Sequence, residues 1–263
     1  MGWEFLWILT VVSAVLCAVG FYKFVYFLSI GYGFSVAGIG IALVILFHEQ
    51  MTLVHYLQCA LFVLYGARLS GFLLYREIKN AAYRKTLKEV TTTEKPMPIF
   101  VKACIWVPVS ILYVAQTSPV FFRQYNGGDG GLLPWIGVAI SLFGLGMETL
   151  ADKQKSNQKA VNPNMVATEG LYKLVRCPNY LGEILFWTGV LVGSLNVLSG
   201  LGQWLTAIIG YICIVYIMFN GAQRLEKRQS ARYGKDPVYR NYADHTPILL
   251  PFVPLYHLIK EDK

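Results

Sequence analysis

The stretch LVRCPNYLGEILFW, residues 174–187, sets a cation, a proline, an amide and a carboxylate at the entrance to an apolar run. Asn179 and Glu183 are four residues apart, so on a helix they share one face. A charged side chain carried into a bilayer costs on the order of 3 kcal/mol, so such groups face a cavity or a partner. Two further stripes have the same spacing: Glu148 and Asp152 in GLGMETLADKQK, and Arg224 and Arg228 in NGAQRLEKRQ, with Glu226 between them. Taken singly, each reads equally well as a solvated helix end with local ion pairs. Together they supply cations for phosphate and carboxylates for ribose hydroxyls or an amide, the inventory of a nucleotide-cofactor pocket. Glu49 in LFHEQMTLVHY and Arg68 in VLYGARLSGF are the other ionisable groups that need a reason.

The elements that must position these residues are membrane helices. The 263 residues are 55% hydrophobic and 14% charged, with mean hydropathy +0.47, whereas soluble domains carry about 25% charged residues. Apolar runs recur at about 3–22, 28–54, 58–76, 98–116, 132–150, 184–199 and 202–220, which predicts an all-α integral membrane protein with seven spans. The second run is overlong, which predicts tilt or a break at Gly38-Ile39-Gly40. Between 76 and 97, between 150 and 183 and after 220 lie most of the cations, which puts the N-terminus outside and the C-terminus in the cytoplasm. That distribution accounts for the net charge of +8 without nucleic acid. The first apolar run lacks the basic start and cleavage site of a signal peptide. Five scattered cysteines and four histidines with no paired spacing argue against a metal site. The expectation is one seven-helix domain over 1–263, its pocket drawn mainly from 145–240, in a bacterial inner membrane or the endoplasmic reticulum.

At 170–189, GLYKLVRCPNYLGEILFWTG resembles the C-terminal signature of membrane steroid 5-alpha-reductases and their bacterial relatives. METLADKQKSNQK at 147–159 looks like the polar helix that precedes it there, with Asp152 followed seven residues later by Lys159. YADHTPILLPF at 242–252 is similar to the family's tail, and Tyr65 and Arg68 match a Tyr-x-x-Arg. Glu148 stands where the family pattern has Asn, and Arg228 where it has His. Sterol C14-reductases share the 170–189 motif, and isoprenylcysteine and phospholipid methyltransferases share it more loosely. The resemblance implies NADPH on the cytoplasmic side and reduction of a 3-oxo-delta-4 steroid. It makes Asp152, Lys159, Asn179 and Glu183 cofactor ligands, and Tyr65 catalytic with Glu49 as its acidic partner.

Hydride addition to an enone places negative charge on the carbonyl oxygen, which a phenol can meet without itself being charged. Tyr65 lies eleven residues before Arg76, about 16 Å along a helix and so near mid-bilayer. Glu49 reaches that depth if the chain turns near residue 57. Arg176, Glu148, Arg224 and Arg228 join the cofactor set through the polar stripes and the cations beside them. The cations Lys155, Lys159 and Arg176 favour the extra phosphate of NADPH over S-adenosylmethionine, which has none. The alternatives are a membrane methyltransferase acting on a lipid or a prenylated thiol, and a transporter, which would need polar groups along a through-path.

Overall fold

The structure is a computed structural model and describes residues 3–79, 84, 97–128 and 130–259. The expected cations Lys85, Lys88, Lys95, Lys260 and Lys263, the TTTEKP stretch at 91–96 and Asp129 lie outside the described residues. Among the described residues eight α-helices follow in order: α1 Trp3–Cys17, α2 Ile30–Phe47, α3 Leu53–Lys79, α4 Ile99–Tyr125, α5 Leu133–Val161, α6 Pro178–Val192, α7 Gly200–Tyr233 and α8 Pro237–His245. Short 3-10 turns at Ala18–Phe21, Phe24–Leu28, His48–Gln50 and Gly170–Lys173 connect them. No strand occurs among the described residues. An apolar solvent cannot hydrogen-bond the backbone, and helices satisfy it internally.

Six of these helical segments are long and apolar enough to cross a membrane, so the chain is a multi-pass membrane protein. The expected sixth span is not among them. Pro178, which needs no N–H partner in a first turn, starts α6 early, and the helix ends at Val192 after 15 residues. That length is about 22 Å, against a hydrocarbon core of about 30 Å. Its end is fixed from a distance by the buried Arg123 of α4. The Nε donates to Gly193 O at 2.7 Å, and the Nη groups donate to Gly128 O and to Asn196 Oδ1.

The chain divides into two compact units. The first comprises Met1–Val138 and Val190–Tyr211. Within it, α2 and α3 approach until their backbones touch. A Cβ on Gly66 would lie 2.1 Å from Gly33 O, and one on Gly33 would lie 2.3 Å from Ser70 Oγ. Small residues at such intervals let membrane helices pack closely. The expected break at Gly38-Ile39-Gly40 does not occur. The helix runs through it, and Gly40 is where Cys59 O and Phe62 Cβ come closest, each 2.9 Å from where its Cβ would be. The overlong run is instead shortened by the 3-10 turns at its ends.

Buried hydroxyls tie the helices of this unit to one another. Ser13 donates to Ser110 O, Ser35 to Ser13 O and Ser70 to Ile30 O. Pro119 inside α4 has no N–H for Ala115 O, and Ser118 Oγ donates to that carbonyl at 2.8 Å instead.

The second unit comprises Ala139–Gly189 and Ile212–Lys263. Here α5 and α6 meet through Gly144 and Gly182: a Cβ on Gly144 would lie 2.5 Å from Gly182 O and from Phe186 N. Asp236 caps α8 by accepting from Val238 N, and Tyr239 and Ala243 pack on Val166.

Two glycines of α3 give opposite expectations. Gly66→Ala forces a methyl into the Gly33 carbonyl and should cost about 1–3 kcal/mol, the usual penalty of overpacking. Gly71 has nothing within 4 Å of its would-be Cβ, so Gly71→Ala should be neutral or stabilise the helix by up to about 1 kcal/mol. Thermal unfolding in lipid nanodiscs checks the pair; equal midpoints would mean that the α2–α3 approach is not tight.

Candidate cofactor site

The α5, α6 and α7 stripes all fall within the second unit. Glu148, buried on α5, packs across Gly182: a Cβ there would sit 2.8 Å from Glu148 Cγ and Glu148 N. The next residue of α6 is the buried Glu183, with the half-buried Asn179 one turn earlier. Glycine at 182 is therefore what lets Glu148 pack directly on the α6 backbone, one residue before Glu183. Asp152, half-buried one turn after Glu148, lies in the field of Tyr172, whose phenol is pushed well above its ordinary range by burial and then by that carboxylate. Arg224 and Arg228 are exposed on α7. Their positive field acts on the Tyr180 phenol, which burial raises and these guanidinium groups pull back down. Tyr180 in turn rests against Gly221 of α7, its ring 3.3 Å from where a Cβ would be.

Lys159 does not stand open to a phosphate. Its ammonium has three donors, and they go to Pro163 O at 3.3 Å, Met165 O, and Tyr233 Oη at 2.9 Å. Its place seven residues after Asp152 positions the loop that follows α5.

Arg176 is also committed elsewhere. Its Nη2 donates to Glu226 Oε1 at 2.8 Å and to Tyr256 O, and both side chains of this ion pair are almost wholly buried. Glu226 is named in the sequence only as the residue between two arginines, yet it is the hub. It accepts from His257 Nδ1 at 2.9 Å, Leu258 N at 2.8 Å and Ile259 N at 3.2 Å, while His257 Nε2 faces Asp244 at 3.1 Å. The tail also pairs by backbone with the start of α6: Arg176 N donates to Pro247 O and Cys177 N to Ile248 O, at 2.8 and 2.9 Å. Burial pushes the Cys177 thiol up to about 12, against the opposing pull of Arg176.

Two glutamines that sequence reasoning passed over hold the loop before α6. Gln154 Oε1 accepts from Leu171 N at 2.8 Å, and Gln158 Oε1 from Thr168 N and Glu169 N at 2.9 and 3.0 Å. Gly170 between them has φ +69°, and a Cβ there would strike Gln154. The signal was present as two amides at i and i+4 on one helix face.

In the first unit, Tyr65 is fully buried on α3, its ring 5.8 Å from Tyr32, which stacks on Tyr113 at 4.8 Å. Glu49 does not accompany it. The chain turns at 48–52 rather than near 57, which leaves Glu49 exposed on the turn before α3. Tyr65 lies twelve residues into that helix, about 18 Å along it, too far for this carboxylate to hold the phenol. Arg68 is half-buried one turn further on. Among the described residues no cluster of side chains has the composition of a metal site.

A family model described as "Protein of unknown function (DUF1295)" matches residues 14–246. No curated protein and no solved structure matches the chain.

Removing one partner of a buried ion pair leaves an uncompensated charge and costs about 3–5 kcal/mol. Glu226→Ala should therefore release residues 246–259 from the start of α6. The readout is alkylation of Cys177, slow at pH 8 in the parent because the thiol is buried and protonated, and expected to rise at least roughly tenfold in the variant. An unchanged rate would mean that Glu226 does not hold the tail in place.

Proposed function

The chain belongs to the DUF1295 family, and on that premise we propose that it is an NADPH-dependent reductase of the carbon–carbon double bond of a 3-oxo-delta-4 steroid or similar apolar enone. The family is associated with steroid 5-alpha-reductase-like proteins, in line with the resemblance of residues 170–189. The observation that carries the reading is the meeting of Glu148 with Gly182 beside Glu183. Two buried carboxylates and an amide on adjoining helices offer acceptors to ribose hydroxyls or a carboxamide. The exposed Arg224 and Arg228 offer charge-assisted donors to phosphate. The donor and acceptor set therefore fits a phosphorylated dinucleotide, which when bound supplies the hydride.

In the first unit Tyr65 is assigned the substrate carbonyl. As hydride reaches the β carbon, the double-bond electrons move onto that oxygen, where the phenol O–H donates a hydrogen bond and stabilises the developing charge. Water returns a proton to the α carbon, so the enone gains one hydride and one proton. The methyltransferase reading keeps one observation in its favour: Lys159 is spent on Pro163, Met165 and Tyr233, which removes a cation that the extra phosphate of NADPH would have used.

The deciding experiment is single-turnover oxidation of NADPH by the protein in nanodiscs, with testosterone or progesterone as the enone. Tyr65→Phe keeps the ring and deletes the donor, so it should slow hydride transfer by about 10²–10³ and leave cofactor affinity unchanged. A wild-type rate in that variant would remove Tyr65 from catalysis. Methyl transfer from S-adenosylmethionine, with no oxidation of NADPH by any enone, would replace the reductase reading.

Glu183→Gln conserves shape and removes a buried charge, so folding should survive. Cofactor should bind roughly tenfold more weakly through loss of one charged acceptor. Titration of NADPH fluorescence measures it, and an unchanged affinity would make Glu183 a helix-end residue only.

A further inference from the structure

Ser13, Ser35 and Ser70 of the first unit donate to backbone carbonyls, whereas three glutamines there carry buried atoms that meet none. Gln58 on α3 and Gln116 and Gln124 on α4 are all at least 95% buried. Gln58 Oε1, Gln124 Oε1 and both polar atoms of Gln116 have no hydrogen-bond partner among the described residues. A buried acceptor with nothing to accept from is costly inside a protein, and more so where the surround is hydrocarbon. Leucine or methionine would fill each place without that cost.

Contacts within the unit sort the three into two levels. Gln124 Nε2 donates to Cys59 Sγ at 3.3 Å, which sets Gln124 beside residues 58 and 59 of α3. Gln116 follows Tyr113 by three residues, and Tyr113 joins Tyr65 through the Tyr32 ring. As α4 runs from 113 to 124, its neighbours on α3 therefore fall from 65 to 59, so the two helices are antiparallel. One level holds Tyr65 and Gln116. The other holds Gln58 and Gln124, and Gln58 lies seven residues before Tyr65 on the same face, about 10 Å along the helix. Between the levels lie the buried apolar Leu61, Phe62 and Val120, and the hydroxyls of the buried Thr117 and Ser118 are spent on carbonyls of their own helix.

An apolar body with a polar group at each end is the shape this spacing would serve. The open amide atoms of Gln58 and Gln124 are both acceptors, so a group that meets them donates. We propose that the substrate carries a hydroxyl at the end remote from the carbonyl that Tyr65 meets, and that Gln58 and Gln124 are specificity-determining residues that accept from it. The glutamine oxygens are closed to solvent in this structure, so the proposal requires their side chains to turn when the ligand binds. The inference rests on the proposed reductase reading for which end is the enone, but its test does not.

The test is equilibrium binding without cofactor, by displacement of radiolabelled steroid from the full chain in nanodiscs. Testosterone and androstenedione differ only in a hydroxyl or a carbonyl at the remote end. The hydroxyl should bind about tenfold more tightly, the worth of one hydrogen bond made rather than an acceptor set against an acceptor. Gln58→Leu and Gln124→Leu should each reduce that preference, and together they should abolish it while androstenedione affinity holds or rises. Equal binding of the two steroids by the parent protein overturns the proposal, and needs no variant to fold. So does binding of neither, or a preference that survives both substitutions, which would leave the glutamines to structural water. Hydroxyl-selective binding without NADPH oxidation would sustain this inference while sinking the reductase reading; turnover without selectivity would do the reverse.

Discussion

A hydrocarbon surround offers no hydrogen bonds, and each polar group placed in it must find its partner within the chain. The helix backbones and the buried arginine of the first unit follow this closely, and three of its glutamine side chains are where it is left open. Pro119 takes an N–H out of α4, and the neighbouring Ser118 hydroxyl replaces it at the orphaned Ala115 carbonyl. Arg123 is fully buried, yet its donors are spread over Gly193, Gly128 and Asn196, so its charge is met by oxygens where the helix after it must stop. The same demand fixes where α6 ends, after 15 residues.

In the second unit the demand centres on Glu226. Burying a carboxylate and a guanidinium yields little or no net stability over an apolar pair of the same shape. What the pair gains is position. Glu226 gathers Arg176, His257 and the backbone of residues 258 and 259, which are far apart in sequence. Because Arg176 and Cys177 also pair by backbone with Pro247 and Ile248, the tail sets the height at which α6 begins. Asn179 and Glu183 follow within two turns, so their height against Glu148 depends on a contact with residues near the C-terminus.

The helices were legible because hydropathy is a property of long windows and survives errors at any one residue. The three polar stripes were legible for a similar reason: i and i+4 spacing is local, and the α5 stripe reaches α6 at Gly182, the residue before Glu183. What was not legible depended on partners far apart in sequence. Lys159 reads as a phosphate ligand until Tyr233, 74 residues on, takes one of its donors. Arg176 reads as a free cation until Glu226, 50 residues on, is found beneath it. Glu49 was misplaced for a different reason: the turn before α3 falls at 48–52, only five residues earlier than expected. A few residues at 1.5 Å each decide whether a carboxylate reaches mid-membrane or stays at the surface.

Glu49 is not beside Tyr65, and the packing around Tyr65 shows what sets the place of its ring. Tyr65 precedes Gly66 and Tyr32 precedes Gly33, the two glycines through which α2 and α3 touch. The close approach of the backbones therefore also sets the separation of the two rings, 5.8 Å and edge-to-face, an arrangement that aromatic pairs favour. Tyr32 stacks on Tyr113, whose hydroxyl donates to Phe27 O at 2.6 Å and so ties the trio to the backbone of a 3-10 turn. A donor that stabilises charge only in a transition state is effective to the extent that it is already in place when the charge appears. The glycine contact between α2 and α3 therefore sets where the Tyr65 ring stands, a task that Glu49, exposed on the turn before α3, does not perform.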